Sequence, residues 1–495
     1  MPETLAQSLQ TYIEQHQLDR FKRWWVAFSG GVDSSVLLHE LSLLRPQFPN
    51  IELAAIYIHH GISENADRWL QHCQHFCQQR NIAFQSISVE LANTTRQGLE
   101  QRARQARWQA FAQLLDKQDC LWLGHHKDDQ VETLMLNLFR GTGVKGAEAM
   151  KPLSRKQHYW VARPFLEHSK HSLKQAAEYY ELSWVEDESN NDEQLSRNYL
   201  RHQVLPAIEK NWPEVKQPLS RFSQHMQQTS RLLDELAEQD YQQVKVTLDP
   251  SWSKTFQTVI DSLSLTKLKT LSSDRLVNLL RYRMSAVADY LPSSEKLNEF
   301  ARQIETATTD SNASLSWSDF RLQQSGEQLF IVTESDFQPT ECSKQWVQFP
   351  ESLDVPELNL RLEAKASGKG IRAPTKDESV TIRTRVGGER CWPDYRNKST
   401  SLKKIFQELD VPHWQRNKWP LVFYNNEMVG AVGLFYCKPF MAADTDLELP
   451  DVNISDVNIS DVKPSEVNIS DENSSFESQS KVKKYFELTS TRLKK

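Results

Sequence analysis

No stretch of this chain is apolar for long enough to span a membrane, so no membrane partner is expected. Met1-Pro2-Glu3-Thr4 lacks the basic residues and apolar core of a secretory signal, which points to the cytoplasm. Cysteine is scarce: six residues, scattered. Cys73 and Cys77 are the one close pair, and their i, i+4 spacing on a predicted helix is not Cys-x-x-Cys. Sulfur transfer through a thiol pair or an iron–sulfur cluster is therefore disfavoured, and reduced structural thiols are expected. An excess of positive charge is also missing. The formal net charge is -6, which at first argues against nucleic acid. Its distribution argues otherwise. Acid collects in the C-terminal tail, while Arg and Lys cluster at 96–107, 197–223 and 383–404, and such local surfaces bind RNA despite an acidic total. What remains is an ordinary soluble composition, 25% charged and 39% hydrophobic over 495 residues. That length has room for about three domains of roughly 150 residues.

Residues 1–215 read as α/β. Candidate strands at 24–28, 52–58, 84–89 and 120–124 alternate with helical patterns at 34–45, 64–80 and 99–117, which predicts a parallel sheet with helices on both faces. Residues 216–340 are dominated by helical periodicity, with short strand-like pieces at 320–323 and 329–332. From 358 to 440 the pattern alternates and ends in Leu421-Val422-Phe423-Tyr424, Asn425-Asn426 and Met428-Val429-Gly430-Ala431-Val432, a hairpin in a small α+β domain. The tail, 446–495, repeats Asp-Val-Asn-Ile-Ser at 451–455 and 456–460. Its acidity and sparse large apolar residues predict disorder, so removal after Leu449 should leave stability unchanged.

The densest chemistry lies in Ser29-Gly30-Gly31-Val32-Asp33-Ser34-Ser35, between the strand at 24–28 and a helix. Glycines let backbone approach an anion, helix N-terminal amides face it, and the serines add hydroxyls. Val32 stands where a Walker A loop needs lysine, so the loop suits a pyrophosphate leaving group better than γ-phosphoryl transfer. Asp33 among phosphate donors calls for a cation, Mg²⁺. An ordinary Gly-Gly turn is the plainer alternative. A second cluster, His125-His126-Lys127-Asp128-Asp129-Gln130-Val131-Glu132-Thr133, follows the apolar Leu121-Trp122-Leu123-Gly124. Asp128 and Glu132 share a helix face; a solvated acidic helix start and a metal or substrate site both fit. In a third, Glu100, Arg104 and Arg107 share a face, as on any salt-bridged helix. Arg140-Gly141-Thr142-Gly143 reads as a loop with an anion-facing arginine, or as a plain C-cap.

The loop at 29–35 resembles the PP-loop of the N-type ATP pyrophosphatases. With His60-Gly61, Glu100-x-x-Ala103-Arg104-x-x-Arg107, His125-x-x-Asp128-Asp129-Gln130-x-Glu132-Thr133, Arg140-Gly141-x-Gly143 and Arg197-Asn198-x-x-Arg201-x-x-x-Leu205-Pro206, most of 20–210 resembles the tRNA(Ile)-lysidine synthetase family. Gly387-Gly388-Glu389-Arg390 and Lys403-Lys404-Ile405-Phe406 extend the likeness into the C-terminal domain. The resemblance implies a PP-loop catalytic domain, a helical substrate-binding domain and a tRNA-binding domain. It implies adenylation by ATP of the wobble cytidine in the CAU-anticodon isoleucine tRNA, then attack by L-lysine. Ser29 to Ser35 would bind pyrophosphate, and Asp33 and Asp129 would place Mg²⁺. His125, Asp128 and Glu132 are candidates for binding and deprotonating lysine. Arg104 would serve catalysis by holding the cytosine or its phosphate. Glu100, Arg107, Arg140, Arg197, Arg201, Arg390, Lys403 and Lys404 are the candidates for tRNA. A homodimer is left open, and the acidic tail has no counterpart in the family.

Overall fold

A computed structural model describes residues 2–61, 63–89, 96–247, 259–288, 290–338, 340–441 and 485–492; for 2–4, 96–101, 189, 191, 366–369, 485–487, 491 and 492 only the backbone is described. The chain divides into two compact units, Met1–Leu233 and Asp234–Lys495. The division falls inside the helix Lys216–Val244, not at 215–216. Lys216 stays with the first unit because its ammonium bridges Asp128 at 2.7 Å and Glu209 at 2.9 Å.

The first unit is built on six strands: β1 (Arg23–Ala27), β2 (Glu52–His59), β3 (Ala83–Ser88), β4 (Asp119–Trp122), β5 (Leu153–Lys156) and β6 (Tyr159–Ala162). Their order is β3-β2-β1-β4-β6-β5, parallel except for the antiparallel β5–β6 pair. Alternation along the strands feeds two cores. Trp24, Val26, Ala55 and Trp122 belong to one. Trp25, Ala54, Ile56 and Leu121 belong to the other, closed by Phe111 and Leu115. Burial on both faces is why these strands read as continuous apolar runs. The chain winds one way from β1 to β3 and the other way from β4 to β6. Ligands bind such sheets at the carboxyl ends of the strands where the order reverses, here β1 and β4.

The helix after β1, Val32–Leu44, is buried nearly all round; Ser35, Val36, Leu37, Leu38 and Leu41 are inaccessible. Glu40 is also fully buried there. Burial pushes its carboxyl up from 4.5 to about 7, with only the Tyr180 side chain opposing. Below about pH 4.5 folded and unfolded chains both carry this proton; between there and pH 7 only the folded chain holds it. Stability therefore falls as pH rises through that window, by up to about 3 kcal/mol. Glu40→Gln is expected to melt above the parent at pH 8, with the gap closing near pH 4.5. A gap equal at both pH values would show that Glu40 does not titrate in the fold.

In the second unit a four-stranded antiparallel sheet (Asp261–Ser264, Ser314–Trp317, Phe320–Ser325, Gln328–Thr333) shares one core with the helices Ser273–Ser285 and Ser294–Thr306. Beyond it a five-stranded antiparallel sheet contains the expected hairpin, Leu421–Tyr424 and Glu427–Ala431, turning at Asn425 with φ 53°. A three-stranded sheet corrects the reading of the tail. Tyr485–Arg492 pairs antiparallel with Leu360–Arg372, and Leu488 is buried in the C-terminal core. Tyr-Phe-Glu-Leu-Thr-Ser-Thr is strand-prone and finds an open edge to complete. The repeats at 451–470 lie outside the described residues. Among the described residues, no helix is long and apolar enough to cross a membrane.

Candidate active site

The loop after β1 is shaped by its own hydroxyls. Gly30 has φ +79°, and a Cβ there would meet Cys73 Sγ at 2.9 Å. Ser35 is fully buried and donates to Gly30 O at 3.4 Å; Ser34 donates to Gly31 O at 3.0 Å. These two serines brace the turn, so Ser35 is not the phosphate donor expected of it. Ser29 is exposed, 3.2 Å from Ser34 Oγ. The first helical hydrogen bond runs from Ser35 N–H to Gly31 O, which leaves the amides of Val32, Asp33 and Ser34 at the helix start for an anion.

The loop after β4 lies directly against it. A Cβ on Gly124 would come within 3.0 Å of the Asp33 carbonyl and 3.1 Å of Ser34 N, so a side chain there would push the two loops apart. The following helix, Lys127–Phe139, starts at His126, where Asp129 N–H donates to His126 Nδ1 at 3.4 Å and His126 N–H to Asp129 Oδ2 at 3.0 Å. This reciprocal cap buries His126 and turns Nε2 toward two carboxylates, Asp129 Oδ2 at 3.4 Å and Asp33 Oδ2 at 3.7 Å. Sequence reasoning favoured His125 and passed over His126. The available signal was His126 three residues before Asp129, the spacing of a capping box.

The two carboxylates are pushed apart. Burial, then the charge of Asp129, raises Asp33 above its ordinary range despite His126. Burial alone would raise Asp129 too, but His126, His125 and Arg197 outweigh it and hold it low. Asp33 Oδ1 is buried without a hydrogen-bond partner. His125 is pushed down to about 3, chiefly by burial with Arg163, Arg197 and Arg104 opposing its charge, so it is neutral; its Nδ1 also lacks a partner.

The other acids are engaged. Asp128 accepts from Lys170 N–H at 2.9 Å and pairs with Lys216, which together outweigh burial and lower it. Glu132 is buried and accepts from Arg197 Nε at 2.7 Å, and from Arg201 Nε at 2.6 Å and Nη2 at 2.8 Å. Both arginines also reach Asp129, at 3.3 and 3.4 Å. Glu132 is thus a clamp and not the free base expected, and Arg197 and Arg201 are tied inward instead of facing RNA. Breaking such a pair costs about 3–5 kcal/mol, which fixes the helix start under Asp129.

Arg104 and Arg107 lie on the helix Arg96–Leu114, with Arg107 Nη2 3.3 Å from His60 Nε2 at the end of β2. The Glu100 side chain is outside the described residues. Arg140 is exposed at the C-cap after Phe139, the plainer of its two readings. In the second unit, Arg390, Lys403 and Lys404 are all exposed, and the pairing of Arg390 with Ser401 brings them to one edge. Arg163, buried after β6, was not among the expected residues, because a four-residue strand gave no periodic signal.

Profiles for a PP-loop domain, a TilS substrate binding domain and a TilS substrate C-terminal domain match residues 1–208, 263–330 and 380–450. A tRNA(Ile)-lysidine synthase of Legionella pneumophila (strain Lens) is 37% identical over 417 residues, covering 84% of this chain and 92% of the relative. The chain belongs to the tRNA(Ile)-lysidine synthase family. The family member from Coxiella burnetii is 34% identical over 84% of this chain and 90% of its own length. Among solved structures, the U34-tRNA thiolase NcsA of Methanococcus maripaludis is 20% identical with a TM-score of 0.40, covering 46% of this chain and 79% of that one.

Proposed function

We propose that this chain joins free L-lysine to C2 of the wobble cytidine in the CAU-anticodon isoleucine tRNA at the expense of ATP, acting in the cytoplasm. The observation that carries the reading is the juxtaposition, across Gly124, of the amides of Val32 to Ser34 with Asp33, Asp129 and His126. The cytidine O2 attacks the α-phosphate of ATP and pyrophosphate leaves along the loop amides. The lysine ε-amine then attacks C2 and AMP leaves. The residues fit a divalent cation: Asp33 Oδ1 has no partner, Asp129 is held ionised, and Mg²⁺ takes one or two carboxylates plus substrate phosphates. When bound, that cation would neutralise charge on the departing pyrophosphate. An ε-ammonium must lose a proton before it attacks. Asp128 is paired with Lys216 and Glu132 with two arginines; Asp129, although both arginines also reach it, and His126 are the groups beside Asp33 to take it.

Sulfur transfer is the rival reading within the superfamily. Cys73, Cys77 and Cys120 are buried, and burial raises each thiol, Cys77 to about 12. These are poor nucleophiles and poor cluster ligands. Incubation with ATP, labelled lysine and each tRNA in turn tests the proposal; label in isoleucine tRNA but not in methionine tRNA supports it, and no label in either sinks it.

We infer that the C-terminal edge contacts tRNA phosphates. Arg390, Lys403 and Lys404 are exposed, with Trp392 and Tyr395 exposed nearby and a cavity of about 370 Å³ beside Arg390 and Trp392. Arg383 and Arg385 are turned to Asn425 O and Glu389. Deleting 358–495 would not test this, since one core joins Phe330 and Trp346 to Leu488. Reversing Arg390, Lys403 and Lys404 to Glu is expected to weaken tRNA binding and flatten the salt slope by about 2–3, with ATP binding unchanged. An unchanged slope would remove this edge from the interface.

A further inference from the structure

Buried polar atoms without a hydrogen-bond partner sit after adjacent strands: Asp33 Oδ1 after β1, His125 Nδ1 after β4 and Arg163 Nε after β6, with His60 Nδ1 after β2 beside them. Leaving a buried donor or acceptor unpaired costs about 1–3 kcal/mol, so such an atom beside a substrate site calls for a partner. The first two belong to the site already described. Arg163 has no part in it yet.

Arg163 is only 9% exposed. Its backbone N–H donates to Pro152 O at 2.8 Å and to Tyr12 Oη at 3.0 Å, while Tyr12 donates onward to Pro152 O at 2.6 Å. Nη1 donates to Lys151 O and to Ser154 Oγ, both at 3.0 Å. These contacts fix the guanidinium and leave its Nε–Nη2 edge uncommitted among the described residues. No described carboxylate pairs with it. Burial lowers it to about 10, so it keeps its charge at neutral pH. Its electrostatic neighbours are Tyr12, Arg104 and His125. A fixed, buried guanidinium with one open edge and no counter-ion is built for a planar two-oxygen anion.

Its place selects the anion. Phosphates are held by the loop after β1. β4 lies between β1 and β6, and strands stand about 4.8 Å apart, so the end of β6 is on the order of 10 Å from that loop. A lysine whose ε-amine reaches Asp129 and His126, after β4, extends its other end away from the phosphates. We propose that Arg163 binds the α-carboxylate of the amino-acid substrate. The inference rests on the reading of lysine as the substrate, and labelling of tRNA by the unaltered enzyme settles that reading first.

The test uses substrate and protein together. With the unaltered enzyme, lysinamide and 1,5-diaminopentane, which offer the same primary amine without the carboxylate, are expected to show a KM at least 10-fold above that of lysine. With Arg163→Gln, the KM for lysine should rise roughly 10- to 100-fold and the preference over 1,5-diaminopentane should vanish. The KM for ATP and tRNA-dependent pyrophosphate release should stay unchanged. Arg163→Lys should recover part of the preference. If the carboxylate-free amines serve the unaltered enzyme as well as lysine, the inference is wrong whatever the variants do. A rise in the KM for ATP with the lysine KM untouched would assign Arg163 to phosphate and overturn it equally.

Discussion

Asp33→Ala is expected to lose turnover by roughly 10²-fold or more while keeping its fold and its tRNA affinity, as for removal of a preorganised electrostatic group. The carboxylate stands at the helix start, with Oδ2 3.7 Å from His126 and Oδ1 unpartnered. Burial and the charge of Asp129 raise it, so its charge is held at a cost that a cation would relieve. Two consequences follow from that sign. The alanine variant relieves a strained carboxylate, so its melting temperature should equal or exceed the parent's. Mg²⁺ should raise the melting temperature of the parent and not of the variant, because a ligand stabilises only the state that binds it. Turnover within a few-fold of the parent would remove Asp33 from the site. Equal Mg²⁺ stabilisation in both proteins would remove it from the cation.

The helix and strand periodicity of the first unit was open to reading because the central strands of that sheet are buried on both faces. Trp24-Trp25-Val26 and Cys120-Leu121-Trp122 have no solvent face to dilute the apolar run. The loop was open to reading because glycine at a positive φ and a helix start leave a fixed local pattern. The β5–β6 hairpin was not. It is built from Leu153-Ser-Arg-Lys and Tyr159-Trp-Val-Ala, turning at Gln157 with φ 52°, and its polar edge strand mimics a loop. Arg163 went unread with it. Division of labour among the acids was also out of reach. Asp128, Asp129 and Glu132 differ only in what comes from elsewhere to meet them: Lys216, His126, and Arg197 with Arg201. Those partners come from as close as three positions to as far as 88 positions along the chain, and no spacing rule connects the distant ones.

Truncation after Leu449 is expected to destabilise the second unit, against what composition alone suggested. The lost strand, Tyr485–Arg492, supplies a ladder from Leu360 to Arg372 interrupted by one register shift between Ala366 and Ile371. It also supplies Leu488, which is 1% exposed and whose N–H donates to Tyr436 Oη at 2.8 Å. Losing a buried leucine costs about 2–5 kcal/mol, and the uncovered edge of Leu360–Arg372 adds to it. Against this stands the entropy of closing the connection over 442–484, which truncation releases and which grows only logarithmically with length. Its ends already meet: Met441 bridges Ile371, and Tyr485 pairs with Arg372 beside it. A net loss of roughly 2–3 kcal/mol should lower the melting of this unit by about 4–12 °C. Leu488→Ala in the full chain should reproduce most of the shift, which separates strand docking from any effect of the acidic repeats. Adenylation in the first unit should be untouched by either change. An unaltered melting curve for both proteins would mean that the strand contributes nothing to holding the C-terminal core.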